Sequence, residues 1–332
     1  MNIPVRAASI LLHVSLALSS GMAGSARAAE EAPFPGRHPV TIVVPFPPGS
    51  TSDLIPRLIA PAIGRLLDTT VVVENRPGAN GAVGAIRVAT ARPDGHTLLL
   101  ATTGVLAINP WIEPGLRYVP DRDFAAVIQA AATPNVLVVR AGSGPATLRD
   151  LVALAAGAPG TVSFASAGNG STSHLCGEAL RQQARIELLH VPYQGPAPAL
   201  QDVLAGRVDL ICDNLSNVIE GIQAGRLRAL AVASASPVAR LPGVPTAAQA
   251  GQPGLEAGIW YGIVAPAGTP APTIGLLNRV IGQALHEPSV AARLEGLGLT
   301  VIADRPAEFT DFIARESARL KRVVEAAGLA PR

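Results

Sequence analysis

The sequence predicts an α/β fold, with mostly parallel sheets covered by helices. Three observations carry that prediction. Apolar, β-branched runs of strand length recur along the chain. Most lead through a Gly-, Pro- or Ser-rich turn into a segment with apolar residues at helical spacing. The runs are nearly continuous rather than alternating, as expected of strands buried on both faces. At 332 residues and 48% apolar composition, the chain is long enough to bury two cores of ordinary size.

The elements follow in order. Residues 40–45 form a β-branched run that ends in Pro47-Pro48-Gly49, and an apolar-periodic helix is expected over 54–67. A short strand at 71–74 closes at Arg76-Pro77-Gly78, with a helix over 81–90. Residues 98–102, 125–131 and 136–139 read as three further strands. The second half repeats the rhythm: strands at 162–165, 188–191 and 208–212 precede helices at 173–183, 197–204 and 216–223, and 227–233 is a strand again. A turn-rich connection over 237–253 leads to a strand and turn at 262–270, and helices over 272–285, 290–294 and 306–326 close the chain.

Composition excludes several classes. Formal charge is +2, from 26 basic and 24 acidic residues, which leaves no electrostatic footprint for nucleic acid. Aromatics at 3% supply no stacking platform for single strands. Two cysteines exclude a disulfide-dense scaffold and any four-cysteine zinc module.

The N-terminus reads as an export signal. Arg6 precedes an apolar stretch over 7–23, and Ala26-Arg27-Ala28 supplies the small residues a signal peptidase needs, so cleavage is expected after Ala28 or Ala29. The alternative, a membrane anchor, needs about 20 strongly apolar residues, and His13 and the serines interrupt this run. Removing residues 1–28 takes Arg6 and Arg27 and leaves a mature chain with balanced charge.

Three turns carry the candidate chemistry, each where a strand hands over to a helix. Ligands of open α/β sheets bind there, because helix N-termini present unpaired N–H groups and a positive dipole end. The first turn is Gly49-Ser50-Thr51-Ser52-Asp53; simple helix capping by these residues is the competing explanation. The second runs from Ala165 through Ala167-Gly168-Asn169-Gly170-Ser171-Thr172, two glycines and two hydroxyls that can form an anion nest. It is neither a dinucleotide fingerprint, since Ser173 stands at the third glycine position, nor a Walker loop. The third is Asp213-Asn214, placed directly after the strand at 208–212, where capping is again an alternative.

Catalytic motifs are not found. There is no Gly-x-Ser-x-Gly elbow, and the histidines at 38, 96, 174, 190 and 286 lack metal-ligand spacing. His174, in the first turn of its helix, reads as a packing or surface residue. No catalytic residue, metal or cofactor is nominated. Cys176 and Cys212 are either a disulfide or two buried thiols, and export favours the bridge.

The sequence resembles the substrate-binding proteins of tripartite tricarboxylate transporters, often called Bug proteins. The motifs that carry the resemblance run in one order along the chain: Pro45-Phe46-Pro47-Pro48-Gly49 with Asp53, Val73-Glu74-Asn75-Arg76-Pro77-Gly78-Ala79 with Gly81 and Gly84, and Pro93-Asp94-Gly95. Phe164-Ala165-Ser166-Ala167-Gly168-Asn169-Gly170-Ser171 with His174-Leu175 follows, then His190-Val191-Pro192-Tyr193, Gly206-Arg207-Val208-Asp209 with Asp213-Asn214, and Trp260-Tyr261-Gly262.

The resemblance implies a periplasmic clamshell of the type II kind, in which two domains close over a small organic carboxylate and deliver it to the membrane subunits of a secondary transporter. One domain is expected at 36–135 plus 259–332 and the other at 136–258. Carried over by motif, Phe46, Gly49, Ser50, Thr51, Ser52, Asp53, Thr102 and Thr103 line one wall. Ala167, Gly168, Asn169, Gly170, Ser171, Thr172, Tyr193 and Asp213 line the other. The protein is expected to be a monomer with no nucleic-acid partner and no enzymatic activity. A sensor subunit for a receptor kinase, or an exported hydrolase, are the alternative readings. Ser50 stands where the family commonly has a second glycine, and Gln194 and Pro196 where it commonly has lysine and serine.

Overall fold

Most of the strands that the sequence marks as apolar runs lie inside the protein, while Val72 in the run at 71–74 and Leu189 in that at 188–191 are exposed. In this computed structural model the described residues are 34–36 and 38–331, so the expected signal peptide falls outside them. The chain opens with β1 (Val40–Val44), α1 (Thr51–Leu67), β2 (Val71–Asn75), α2 (Ala82–Ala89) and β3 (Thr97–Thr102). A π-helical turn over Gly104–Ile108 and two short helices, α3 (Asn109–Ile112) and α4 (Pro120–Asp123), lead into the long strand β4 (Phe124–Arg140). The middle of the chain supplies α5 (Leu148–Gly157), β5 (Ser163–Ser166), α6 (Thr172–Ala184), β6 (Leu189–Pro192), α7 (Pro196–Leu204), β7 (Leu210–Asn214), α8 (Leu215–Gln223) and β8 (Leu227–Val232). β9 (Gly258–Pro266), α9 (Ala271–Leu285), α10 (Pro288–Gly296), β10 (Thr300–Val301) and α11 (Pro306–Ala326) complete it.

The strands form two sheet halves that share β4. In one half the order is β2-β1-β3-β9-β4-β10, and in the other it is β8-β4-β7-β5-β6. The expected parallel pairing holds within β2-β1-β3 and β6-β5-β7. The sheets are mixed, however, because β9 runs antiparallel to β3 and β4, and β4 runs antiparallel to β7 and β8.

β4 is also where the sequence expectation fails most clearly. Two strands were expected, at 125–131 and 136–139, with Thr133-Pro134-Asn135 between them. The structure has one strand of 17 residues. Pro134 breaks no ladder, because this is where β4 exchanges partners: Phe124 to Pro134 pair with β9, and Asn135 to Arg140 pair with β7 and β8. A proline's missing N–H is harmless at such a changeover. Three smaller differences bear on the site. α1 starts at Thr51 rather than at 54, so the hydroxyl residues form its first turn. Asp213 and Asn214 are the last residues of β7, not a turn after it. The π-helical turn and α5 have no counterpart in the sequence reading.

Each sheet half is covered on both faces. Ile55, Ile59 and Ile63 of α1 pack with Leu277 and Ile281 of α9 on one face of the first half, and Val105, Phe309 and Val324 pack on the other. In the second half, Leu148, Cys176 and Leu180 cover one face and Ala199, Val203, Val218 and Ile219 the other. Cys176 on α6 and Cys212 on β7 form a disulfide with a Cα–Cα distance of 6.0 Å. It ties the helix that follows the glycine-rich turn to the strand that ends in Asp213.

Reduction of that bond releases a 36-residue loop in the unfolded chain. The chain-entropy model then predicts a loss of about 4 kcal/mol of stability. Urea unfolding with and without reductant measures this, and equal midpoints would overturn it.

Candidate functional site

The site is assembled from two helix N-termini and the polar groups that decide which of their N–H groups stay open. At the start of α1, Ser50 is the N-cap, accepting from the Asp53 N–H at 3.3 Å while its hydroxyl donates to the Pro47 carbonyl at 2.8 Å. Ser50 therefore secures the turn instead of presenting its hydroxyl to a ligand. Asp53 is buried, and its carboxylate accepts from the Gly49 N–H at 2.9 Å, from Arg57 Nε at 2.9 Å and from Asn75 Nδ2 at 2.8 Å. Burial opposes its charge, but these donors outweigh it and hold the Asp53 carboxyl below its usual range. Asn75 also donates to the Phe46 carbonyl at 3.1 Å. Asp53 is thus a strut for the turn, and Arg57 and Asn75, absent from the expected site, brace it. Thr51 and Ser52, at the first two helical positions, keep N–H groups that no described group accepts.

The turn fits closely against α2. A Cβ added at Gly84 would lie 2.8 Å from Pro45 Cβ and 2.9 Å from Pro45 Cα, so glycine is the residue that lets α2 seat beneath the turn. Phe46 is half-buried and packs into both cores of the first half. Thr102 and Thr103 are buried at the end of β3, and their hydroxyls are occupied: Thr102 Oγ1 accepts from Val105 N–H at 3.5 Å and Thr103 Oγ1 from Trp260 N–H at 2.9 Å.

The second turn is more heavily self-bonded than its sequence suggests. Ser171 caps α6, accepting from the His174 N–H and donating to the Gly168 carbonyl at 2.7 Å. Ser173 Oγ accepts from the Ala167 N–H at 2.9 Å, Ser166 Oγ from the Gly168 N–H at 3.2 Å, and His174 Nδ1 from the Gly170 N–H at 3.1 Å. Among the described residues, the N–H groups of Asn169, Thr172 and Ser173 find no acceptor. The anion nest expected over 167–172 is therefore narrower: its glycines shape the turn, and the open donors sit beside and after them.

The two N-termini meet through the ends of β7 and β9. Tyr261 on β9 is fully buried; burial pushes its phenol far above the usual range, the Asp213 carboxylate adds to that push, and a hydrogen bond with Thr51 counters it. Asp213 accepts from the Asn214 N–H at 2.8 Å and from Asn217 Nδ2 at 3.2 Å on each oxygen. Burial nevertheless raises its pKa to about 6. Thr172 Oγ1 lies 3.5 Å from Asn214 Oδ1 and the Thr172 carbonyl accepts from Asn135 Nδ2 at 3.2 Å. Polar groups thus link Thr51 to Tyr261 and Asp213 through Asn214 to Thr172, and the Asp213 charge acts on Tyr261 between the two pairs. The halves also touch at Gly170, whose φ is +73° and where a Cβ would stand 2.1 Å from Ile112 Cδ1.

Tyr193 has its hydroxyl engaged within its own sheet half. Its hydroxyl donates to Asp202 Oδ2 on α7 at 2.7 Å, and burial with that acceptor raises its pKa to about 12. Its ring packs with the core beneath α7 and α8, and its carbonyl lies 3.1 Å from where a Gly168 Cβ would be. Tyr193 shapes the second turn, and its hydroxyl is already committed. Arg57, Asn75, Asn135, Asn217 and Tyr261 are the polar residues sequence reasoning missed; the first two could have been suspected from helical spacing to Asp53 and from the Asn75-Arg76-Pro77-Gly78 run.

Chemically, this arrangement can hold an anion. Each helix end offers open N–H groups and a partial positive charge of roughly half a unit. Among the described residues, no group of three or more His, Cys, Asp or Glu is placed to hold a metal.

Comparison with known proteins agrees. The family model described as "Tripartite tricarboxylate transporter family receptor" matches residues 55–329. The chain is 40% identical over 316 residues to the UPF0065 protein in the tcbD-tcbE intergenic region of Pseudomonas sp. (strain P51), covering 95% of this chain and 93% of that one. Protein BugT of Bordetella pertussis is 36% identical over 296 residues, 89% and 90% of the two chains. The solved structure of R. palustris Rpa4515 with adipate matches with a TM-score of 0.82 at 35% identity, over 90% of this chain and 100% of that one. MatC (Rpa3494) from Rhodopseudomonas palustris with bound malate gives 0.78 at 35% identity, over 88% and 100%.

The raised pKa of Asp213 has a definite sign. The folded state holds the proton more tightly than the unfolded chain, so the stability this gives is full below about pH 4 and lost as pH rises through about 6. Asp213→Asn carries no such loss. In urea titrations its stability relative to the parent should grow between pH 4 and pH 8 by roughly 2–3 kcal/mol. A constant gap would contradict a raised Asp213.

Proposed function

The chain belongs to the tripartite tricarboxylate transporter receptor family, and from that premise we propose that it is a periplasmic solute-binding protein for a small organic carboxylate. The observation that carries this reading is the pair of helix N-termini, at Thr51 and Thr172, each left with open N–H groups and each next to one of the buried groups Tyr261 and Asp213. A carboxylate suits such a site, since it accepts several N–H bonds and gains from both dipole ends. The adipate and malate in the two related structures support the same ligand class for this chain.

The two sheet halves are then the two lobes of a clamshell, at about 36–135 plus 259–332 and about 136–258. β4 is one crossing and the segment that leads into β9 is the other, and the crevice between the lobes is the binding site. A ligand that contacts both N-termini favours the closed arrangement by its differential affinity for it. The partners implied are the carboxylate and the two membrane subunits of the transporter, which receive the closed, loaded protein. Capture and release need no bond-making step, and the match to a transporter receptor family supports carriage as the role.

The experiment is a thermal-shift screen of the purified protein against mono-, di- and tricarboxylates, with adipate and malate among them. A ligand at about a hundred times its dissociation constant adds about 2.7 kcal/mol to stability. Thr172→Pro is the matched control. Proline is accepted at the first helical position, and Ser171, at φ −69° and ψ 160°, already has the extended backbone that precedes proline. The variant deletes one open N–H and should fold normally yet bind ten- to a hundredfold more weakly. A screen flat for every carboxylate would overturn the ligand class.

The same ligand should also bind more weakly at alkaline pH. An anion near Asp213 raises its pKa further, so the complex holds more protons than the free protein, and affinity falls as pH rises above about 6. Calorimetry in buffers of different ionisation enthalpy would show proton uptake on binding; no uptake between pH 6 and 7 would separate the ligand from Asp213.

A further inference from the structure

We propose that His174 and His190 are positioning residues of the ligand site: two stacked, neutral imidazoles whose ring nitrogens fix the amides of Gly170 and Gly168, and so aim the open N–H groups of Asn169, Thr172 and Ser173. The proposal rests on the carboxylate-binding reading for its functional meaning, though not for its geometry.

The two rings lie face to face, with centroids 3.9 Å apart and planes 9° from parallel, and Phe164 stacks on His190 at 4.7 Å. His174 Nδ1 accepts from the Gly170 N–H at 3.1 Å. An acceptor nitrogen carries no proton, so the His174 proton sits on Nε2. His190 Nε2 meets Ser166 Oγ at 2.7 Å, and Ser166 Oγ accepts from the Gly168 N–H at 3.2 Å. Ser166 Oγ also lies 3.3 Å from the Gly168 carbonyl, so the hydroxyl holds both polar groups of Gly168 while His190 Nε2 holds the hydroxyl. Each imidazole holds one glycine of the turn, His174 directly and His190 through Ser166.

Charge on His174 would undo this arrangement. A protonated Nδ1 would point an N–H at the Gly170 N–H, and two stacked imidazolium rings would repel. Burial and the neighbouring His190 lower the His174 pKa to about 4, and burial lowers that of His190. The titratable groups that face His174 are His190 across the stack and Glu178 one turn along α6. Glu178 Oε1 is 3.9 Å from His174 Nε2, but its other oxygen is held by Arg181 at 2.9 Å, so it is already committed to a cation. Because the folded pKa values lie below the unfolded one, the stability the pair gives is complete above about pH 6.5 and drains away as the pH falls toward about 4.

The test uses three readouts on the full mature protein. Long-range 15N–1H NMR at pH 6.5 should show both rings neutral, with His174 protonated at Nε2; a charged ring or the opposite His174 tautomer overturns the proposal without any ligand. In the ligand-free protein, His174→Phe keeps a ring in the stack but removes the acceptor, so the Gly170 amide should exchange with solvent at least tenfold faster. His174→Asn restores an acceptor oxygen near the Nδ1 position and should return exchange to within about threefold of the parent. Equal exchange in all three proteins overturns the proposal. Adipate and malate affinities, measured at pH 6.5, should follow the same order, with a loss of tenfold or more only in His174→Phe. Unchanged affinity in His174→Phe also overturns it. If the parent binds neither acid nor any other carboxylate, the ligand reading fails, and NMR and amide exchange still decide whether the histidines fix the turn.

Discussion

A helix begins with N–H groups that its own backbone cannot satisfy, and the whole site follows from how this chain distributes partners among them. At α1 the Asp53 carboxylate takes the Gly49 N–H, and Ser50 takes that of Asp53. At α6, Ser171, Ser173, Ser166 and His174 take those of His174, Ala167, Gly168 and Gly170. What remains open is a small set at each end, centred on Thr51 and Ser52 and on Asn169, Thr172 and Ser173. The internal acceptors fix the turns, and the unfilled positions give them chemistry.

That local scheme needs a frame that brings the two ends together, and β4 supplies it. A strand that belongs to both sheet halves sets their strand ends in one line, and β9 returns antiparallel beside it. Asn135, at the changeover, then reaches both the Thr172 carbonyl at 3.2 Å and the Cys212 carbonyl at 3.5 Å. The disulfide adds a covalent tie between the same two elements, α6 and β7. Position of the second N-terminus is thereby set by a hydrogen bond from the strand the two halves share and a covalent bond within the second half.

Much of this was legible in the sequence, for physical reasons that differ by element. Buried strands are read from continuous apolar runs, so β1, β3, β5 and β7 were found within a residue or two. The polar tail of β7 was not, because Asp213 and Asn214 are rare strand residues, and their antiparallel pairing with Val136 and Asn135 of β4 holds them there. β4 was read as two strands because proline normally ends one, and no single-chain pattern reveals a change of partner. In the site, the hydroxyls and glycines were found by position at strand-to-helix turns. Their division into struts and open donors was not, since Asp53, Ser50 and Tyr193 have the same composition whether they face a ligand or the protein. Only the long-range partners, Asn75 at 22 positions from Asp53 and His190 at 24 from Ser166, decide it.

The electrostatics of the site follow from the same division. Arg57 is the cation next to the first turn, yet it is bound to Asp53, and Arg207, the cation near Tyr193, is paired with Asp202. Each guanidinium is thus committed to a carboxylate of the protein. Two helix ends, each worth roughly half a positive charge, therefore set the local field, and Asp213 sits among them with a pKa raised by burial. Fixed partial charges of this kind are short-ranged and directional, unlike an arginine side chain that can swing toward any anion. A site built on them discriminates by the direction from which a carboxylate approaches. That is why the turns are braced so densely: a donor that carries its selectivity in its direction loses it as soon as the backbone behind it moves.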